Sequence, residues 1–221
     1  MSWKVEPGAS LTAEDLPLLP FSDWRGVAGP VVDATIALLP EEQSGVSGWA
    51  GKRQREFSSG RLYARRAMQD LDVTAQPIRR KENRAPIWPA DVSGSLTHCD
   101  DIAAAVLCRR GVLRSVGLDI ECRGRIHEEL YRGLFTTKEQ ASIRAGVSTT
   151  LLFAVKEAIY KALHPLTATF IDFPKMEVAL LRGNLTACYL GDMQVVHALM
   201  SELQLEARLL ERHAAALAWI P

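Results

Sequence analysis

The sequence predicts an α+β protein in which a long helix and a set of short antiparallel strands occur in each half. Three observations carry this. Apolar residues recur at helical spacing from Gly48 to about Leu71, a second helical region runs from about Ile126 to His164, and short alternating or wholly apolar runs bounded by turn residues fill the stretches between and after them. The 221 residues allow one domain or two small, closely packed halves, and the expected division is residues 1–112 and 113–221.

The first fifty residues are rich in Pro, Gly and scattered apolar positions and read as an irregular lead-in, with a capped short helix at Leu11-Thr12-Ala13-Glu14-Asp15. In the first long helix Trp49, Phe57, Leu62, Ala67 and Met68 are the apolar positions, while Lys52, Arg53, Arg55, Arg61, Arg65 and Arg66 are expected to occupy its surface. Pro77 to Arg80 and Ala85 to Pro89 form two extended pieces around the polar turn Lys81-Glu82-Asn83, a hairpin pattern. Ser95 to His98 leads through Asp100-Asp101 into the apolar run Ile102 to Cys108, a buried strand, and Val116 to Glu121 then alternates apolar with acidic.

The second helical region breaks at Phe135-Thr136-Thr137 and at Ala145-Gly146, and its last helix starts on a cap near Ser148-Thr149-Thr150. Five strands are expected to follow as a meander: Met176 to Leu181, Leu185 to Leu190, Val195 to Leu199, Leu203 to Leu209 and Ala214 to Ile220. The turns between them are assigned to Arg182-Gly183-Asn184, Gly191-Asp192 and Glu211-Arg212-His213. No sequence repeat between the halves is strong enough to relate them.

Composition narrows the function classes. Hydrophobic content of 48% and charged content of 24% fit a soluble globular chain. The opening residues lack a basic patch followed by an apolar run, and no stretch approaches the ~20 apolar residues needed to span a bilayer, so a cytoplasmic protein is expected. Cys99, Cys108, Cys122 and Cys188 show no CxxC spacing and are expected to be buried, reduced thiols. The formal net charge of zero hides an asymmetry: Gly51 to Arg84 holds ten Lys or Arg against four Asp or Glu, so this stretch is +6 and the remainder −6. Such a stretch is either a solvated basic helix face or an anion site; nucleic acid is disfavoured by neutrality and by the scarcity of stacking aromatics.

Asp119 and Glu121 are two apart in a strand, so their side chains share one face and Leu118 and Ile120 the other. Paired carboxylates suit a hard divalent cation such as Mg²⁺, or else mark an edge strand with incidental acids. In Phe153-Ala154-Val155-Lys156-Glu157-Ala158-Ile159-Tyr160-Lys161, Phe153, Glu157 and Lys161 fall one turn apart on a single helical stripe, which also fits an ordinary surface ion pair. Neither fragment is specific alone.

Together they are specific. Val116-Gly117-Leu118-Asp119-Ile120-Glu121, followed some thirty residues later by Phe153 to Lys161, resembles the paired motifs of the 4′-phosphopantetheinyl transferase superfamily, with Phe153 where that family usually has Trp. Arg84 to Pro89, Gly94 to His98, Phe57 to Leu62 and Lys161 to Leu166 with Ile171 to Phe173 are similar to segments of its enterobactin-synthase group, with Thr97 in place of a Ser. The likeness covers about residues 50 to 180.

The resemblance implies two pseudo-symmetric lobes, each an antiparallel sheet on a long helix, in a monomer. It implies transfer of the 4′-phosphopantetheine group from coenzyme A to a carrier-protein serine, releasing 3′,5′-adenosine bisphosphate. It assigns Mg²⁺ to Asp119, Glu121 and Glu157, and a general-base role, directly or through water, to Glu157. Lys161 stabilises phosphate charge or keeps Glu157 ionised, while Lys156 beside it takes no direct part. Arg53, Arg80, Thr97 and His98 are expected at the coenzyme's phosphates, and Arg61 either there or tethering its helix. These assignments place the coenzyme-binding basic residues in the N-terminal half and the metal and catalytic residues in the C-terminal half. The carrier is expected to land on Arg123 to Phe135. The remaining readings are a non-catalytic coenzyme A or carrier-binding protein of the same fold, and an enzyme acting on another phosphate-linked nucleotide.

Overall fold

A computed structural model describes residues 2–43, 46, 48–181 and 184–221. The chain forms two compact units, Met1–Glu14 with Leu19–Leu113, and Asp15–Leu18 with Arg114–Pro221.

The first unit contains β1 (Ser2–Val5), β2 (Trp24–Pro30), the short α1 (Pro40–Gln43), α2 (Gly51–Asp70), β3 (Arg79–Arg80), β4 (Pro86–Ile87), β5 (Val92–His98) and β6 (Ile102–Arg109). Its sheet runs β1-β2-β6-β5, antiparallel except for β1, which joins β2 in parallel at the edge. Every residue of β6 from Ile102 to Cys108 is fully buried, as its unbroken apolar run requires of a strand covered on both faces. Ala103, Ala105 and Leu107 meet Ala64, Ala67 and Met68 of α2 on one of those faces.

The lead-in is more regular than its composition suggests. β2 has low strand propensity because of Gly26, Gly29 and Pro30, but full pairing with β6 overrides it. Gly26 is needed there: a Cβ would sit inside the buried Trp3 ring. The short helix near Leu11 is a 3-10 turn, Ala13–Asp15. The predicted hairpin forms as β3 paired with β4.

The second unit contains β7 (Ser115–Cys122), α3 (Tyr131–Leu134), α4 (Thr137–Arg144), α5 (Thr149–Thr167), β8 (Met176–Leu181), β9 (Asn184–Tyr189), α6 (Gln194–Glu202), β10 (Gln204–Leu209) and β11 (His213–Ile220). The sheet runs β10-β11-β7, all antiparallel, and β8 and β9 pair as a separate hairpin. Ser148 caps α5 by accepting from the Leu151 amide at 3.3 Å, and Thr136 and Glu139 form a reciprocal capping box on α4. The turn assigned to Arg182-Gly183-Asn184 falls largely outside the described residues.

One predicted strand is a helix. Val195 to Leu199 lies in α6, where Val196 and Leu199 are buried and Val195 is exposed. Buried positions three apart follow the helical period rather than the alternation of a strand.

Both units repeat one plan: strand, long helix, hairpin, then two strands, the last of which inserts between the other two. This gives β2-β6-β5 and β7-β11-β10. A buried carboxylate repeats as well. Glu42 Oε2 accepts from the Leu39 amide (3.0 Å) and from Arg65 of the long helix (2.5 Å), and its Oε1 from the Ile78 amide (2.9 Å). Glu139 Oε2 accepts from the Thr136 amide (2.7 Å) and from Lys156 of its long helix (2.5 Å), and its Oε1 from the Val178 amide (2.8 Å). In each unit one acid thus caps the residue three before it, anchors the long helix and fixes the segment beyond. The expected pseudo-symmetry is visible in these bonds although the sequence shows no repeat.

No helix among the described residues is long and apolar enough to cross a membrane. None of the four cysteines is in a disulfide; Cys99 and Cys108 are buried as expected, while Cys122 is half-buried and Cys188 faces solvent from β9.

Candidate active site

In the second unit, α5 lies directly on β7 and β11. Gly117 makes this possible, because a Cβ there would penetrate the Ala158 carbonyl of α5 and crowd the Ala162 amide. The register places Ala218, Ala216 and Ala214 of β11 beside Gly117, Asp119 and Glu121 of β7. Small residues on both strands let the helix settle low, and the next same-face positions of β7 bring their carboxylates to the side of α5 that carries Glu157 and Lys161.

Lys161 is the centre of the cluster. Its Nζ donates to Asp119 Oδ1 at 2.5 Å and to the Leu118 carbonyl at 3.1 Å, and stands 4.0 Å from Glu157 Oε2. The within-helix pair legible in the sequence is therefore its longer contact. Asp119 is buried at 2% exposure. Burial first, then the Asp119 and Glu157 charges against the opposing Lys161, pushes the Glu121 carboxyl up to about 8. Burial also raises Glu157, Lys161 opposing and Asp119 adding to the rise. Burial works against the charge on Lys161, but the three carboxylates outweigh it and raise its pKa. Phe153 anchors this face of α5, its ring 5.7 Å from that of Phe173 in an edge-to-face contact.

Lys156, one position before Glu157, points the other way. It is wholly buried, with Nζ 2.5 Å from Glu139 Oε2, 2.8 Å from the Leu134 carbonyl and 3.0 Å from that of Phe173. It is an anchor of the fold, a role for which the sequence gives no local signal.

The basic residues of the first unit divide into two groups. Arg53 Nη1 donates to His98 Nε2 at 2.6 Å and to Glu56 Oε2 at 3.3 Å, which makes Nε2 the acceptor nitrogen of that ring. Arg80 is exposed and stacks on the Trp49 ring, 4.6 Å from its centroid, with Arg53 at 5.6 Å from the same centroid. Arg61 and Arg65, expected on the surface of α2, are buried instead. Arg61 covers the Phe57 ring at 3.9 Å and donates to the Ile78 carbonyl at 3.4 Å; Arg65 is bound by Glu42 and by the Ala37 carbonyl. Burial lowers Arg61 to about 10; Glu42 opposes this, and Arg80, Arg53 and Arg65 repel it further. Thr97 is buried, on the opposite face of β5 from its neighbour His98.

Residues 41–108 match the 4′-phosphopantetheinyl transferase N-terminal domain, and residues 115–218 match the 4′-phosphopantetheinyl transferase superfamily. The chain is 34% identical over 173 residues to the 4′-phosphopantetheinyl transferase PptT of Mycobacterium tuberculosis (strain ATCC 25618 / H37Rv), a match covering 74% of each chain. The chain belongs to the 4′-phosphopantetheinyl transferase superfamily.

Two further relatives in this superfamily bracket the likeness. The 4′-phosphopantetheinyl transferase Npt of Nocardia iowensis is 35% identical over 143 residues, 63% of this chain and 64% of that one. Enterobactin synthase component D of Escherichia coli (strain K12) is 32% identical over 146 residues, 60% of this chain and 68% of the relative. The match thus spans just under two thirds of the Nocardia protein. Within the superfamily's motifs, sequence reasoning found every charged member of the β7–α5 cluster. It missed Trp49 as a partner of Arg80, because cation–π stacking across separate elements has no spacing signature, whereas Arg53 lies four positions after Trp49, at helical spacing.

Proposed function

We propose that the chain transfers the 4′-phosphopantetheine group from coenzyme A to a serine of an acyl or peptidyl carrier protein, with Mg²⁺ held by Asp119, Glu121 and Glu157. The observation that carries the reading is the charge balance of the cluster. Three carboxylates face the ammonium of Lys161, and burial, with neighbouring carboxylates adding to it, raises Glu121 and Glu157, a cost of ionisation that a hard divalent cation would relieve. An all-oxygen donor set of this charge fits Mg²⁺. The chemistry such an ion supplies is neutralisation of the pyrophosphate and polarisation of the phosphorus that is attacked.

The chain's own residues supply the rest. The serine Oγ forms a bond to the β-phosphorus as the bond to the leaving phosphate breaks, and 3′,5′-adenosine bisphosphate departs. Glu157 takes the serine proton; burial raises its carboxyl, which makes the carboxylate a stronger base than a solvated one. Lys161 holds Asp119 in place and offers its remaining hydrogen-bonding capacity to phosphate oxygens. In the first unit, the half-buried Arg53 and the exposed Arg80 are the cations suited to the coenzyme's phosphates, with His98 beside Arg53 as a hydrogen-bonding group, whereas the burial of Arg61 favours its tethering role.

The carrier's acidic, apolar helices suit the segment Arg123 to Phe135, where Glu128, Glu129, Tyr131 and Arg132 line a cavity of about 350 Å³ with Gln140 and Arg144. The relatives named as enterobactin synthase components favour peptide-synthase or siderophore carriers over polyketide or fatty-acid ones. Mass spectrometry of an apo carrier incubated with the protein, Mg²⁺ and coenzyme A tests the reading. A gain of one phosphopantetheine unit at serine is expected, and an unmodified serine across all four carrier classes overturns it.

A further inference from the structure

We infer that Trp49 is a positioning residue: its ring holds Arg80 and Arg53 together as one anion grip and thereby sets preference for a coenzyme that carries a 3′-phosphate. The inference rests on the coenzyme A reading above and deepens it.

Arg80 sits on the two-residue strand β3 and is exposed, and among the described residues no carboxylate lies within ion-pair reach of it. An exposed arginine of this kind samples many rotamers and loses that freedom on binding phosphate. Here the indole restrains it, with the guanidinium carbon 4.6 Å from the ring centroid. The ring is itself fixed from below: it meets Phe57 edge to face at 5.4 Å and packs on the buried cluster of Leu38, Val46 and Phe57. Arg53 approaches the same ring at 5.6 Å and is held from its other side by His98.

Two guanidiniums repel each other, and an acid placed between them would compete with any incoming anion. A π face attracts both and leaves the Arg80 donors open, while Arg53 spends only Nη1, on Glu56 and His98. Trp49 and Arg80 also line a cavity of about 310 Å³ with Arg79, Lys81, Glu41 and Glu82 and with Glu42, which is already paired with Arg65, so the restrained Arg80 borders a space that admits a ligand.

The test compares Trp49→Leu, Trp49→Gln, Trp49→Phe and Arg80→Ala by KM for coenzyme A, KM for 3′-dephospho-coenzyme A and KM for the carrier. Calorimetric affinities for 3′,5′-adenosine bisphosphate and 5′-AMP give a readout independent of turnover. Trp49→Leu should lower the preference for the 3′-phosphorylated compound about fivefold, the scale of one exposed cation–π contact, with the carrier KM unmoved. Trp49→Phe should retain most of the preference, and Trp49→Leu should add less in an Arg80→Ala background than it removes alone, the remainder being the contact with Arg53. Should Trp49→Leu misfold by circular dichroism, Trp49→Gln carries the same comparison. Full preference in the leucine or glutamine variant alongside its loss in Arg80→Ala overturns the clamp and leaves the phosphate grip standing. Full preference in Arg80→Ala overturns both.

Discussion

Gly117 of β7 and Ala158 of α5 are in backbone contact, so close that no side chain fits at position 117. This contact sets the height at which Glu157 and Lys161 meet Asp119 and Glu121, and the pattern of small residues around it, Ala162 on the helix and Ala214, Ala216 and Ala218 on β11, continues the same close approach. Four consequences can be measured.

Gly117→Ala should destabilise the fold by about 1–3 kcal/mol, because the added methyl must displace helix backbone rather than a mobile side-chain end. Gly133→Ala is the control: nothing lies within 4 Å of its added methyl. That variant should match the parent or gain up to about 1 kcal/mol, because Ala replaces Gly within α3. Urea unfolding of the two proteins gives the comparison, and equal midpoints would remove the close-contact argument.

Lys156→Ala should be the more damaging lysine change for stability, although Lys156 takes no direct part in the chemistry. It strands Glu139 as a buried, unpaired carboxylate, at a cost of about 3–5 kcal/mol. The double variant Lys156→Met with Glu139→Gln should recover part of this, since neither residue then carries a buried charge. Lys161→Ala also leaves the buried Asp119 without its cation, but with Mg²⁺ present to balance that charge it should melt closer to the parent and lose far more kcat. Thermal melts beside steady-state rates separate the two lysines.

Metal-stripped protein should lose stability as pH rises. The Glu121 carboxyl is raised from the usual 4.5 to about 8, so between these values the folded state holds a proton that the unfolded chain has released. Its stabilising contribution is complete below the lower value, falls across the window and is gone above the upper one. Mg²⁺ favours the ionised carboxylates, so its stabilising effect should be larger at about pH 8 than at about pH 5.5. Melting temperatures across pH with and without Mg²⁺ check this; Glu121→Gln should flatten the metal-free slope.

Glu157→Gln keeps the size of the side chain and one oxygen donor but cannot accept a proton. It should lower kcat by about 10²-fold and remove the rise of kcat with pH that ionisation of the raised Glu157 carboxyl imposes, while KM for coenzyme A changes less. Near-normal kcat with an unchanged pH profile would rule out the base role and leave a ligand role intact.

The sequence by itself determined what depends on neighbours along the chain. Alternation put Asp119 and Glu121 on one face of β7, and helical spacing put Phe153, Glu157 and Lys161 on one stripe of α5. The apolar run of β6, the cap at Ser148 and the β3–β4 hairpin are local in the same sense. Tertiary structure decided what depends on partners distant in sequence. It made a strand of Trp24–Pro30 through pairing with β6, and it turned Val195 to Leu199 into helix by burying Val196 and Leu199. It also drew Lys161 to Asp119, forty-two positions away, in preference to Glu157 one turn away, and sent Lys156 inward to Glu139. Charge and spacing tell where a long cationic side chain starts; which acid it reaches is set by burial, where an unpaired charge costs most and the fold must bring its partner to it.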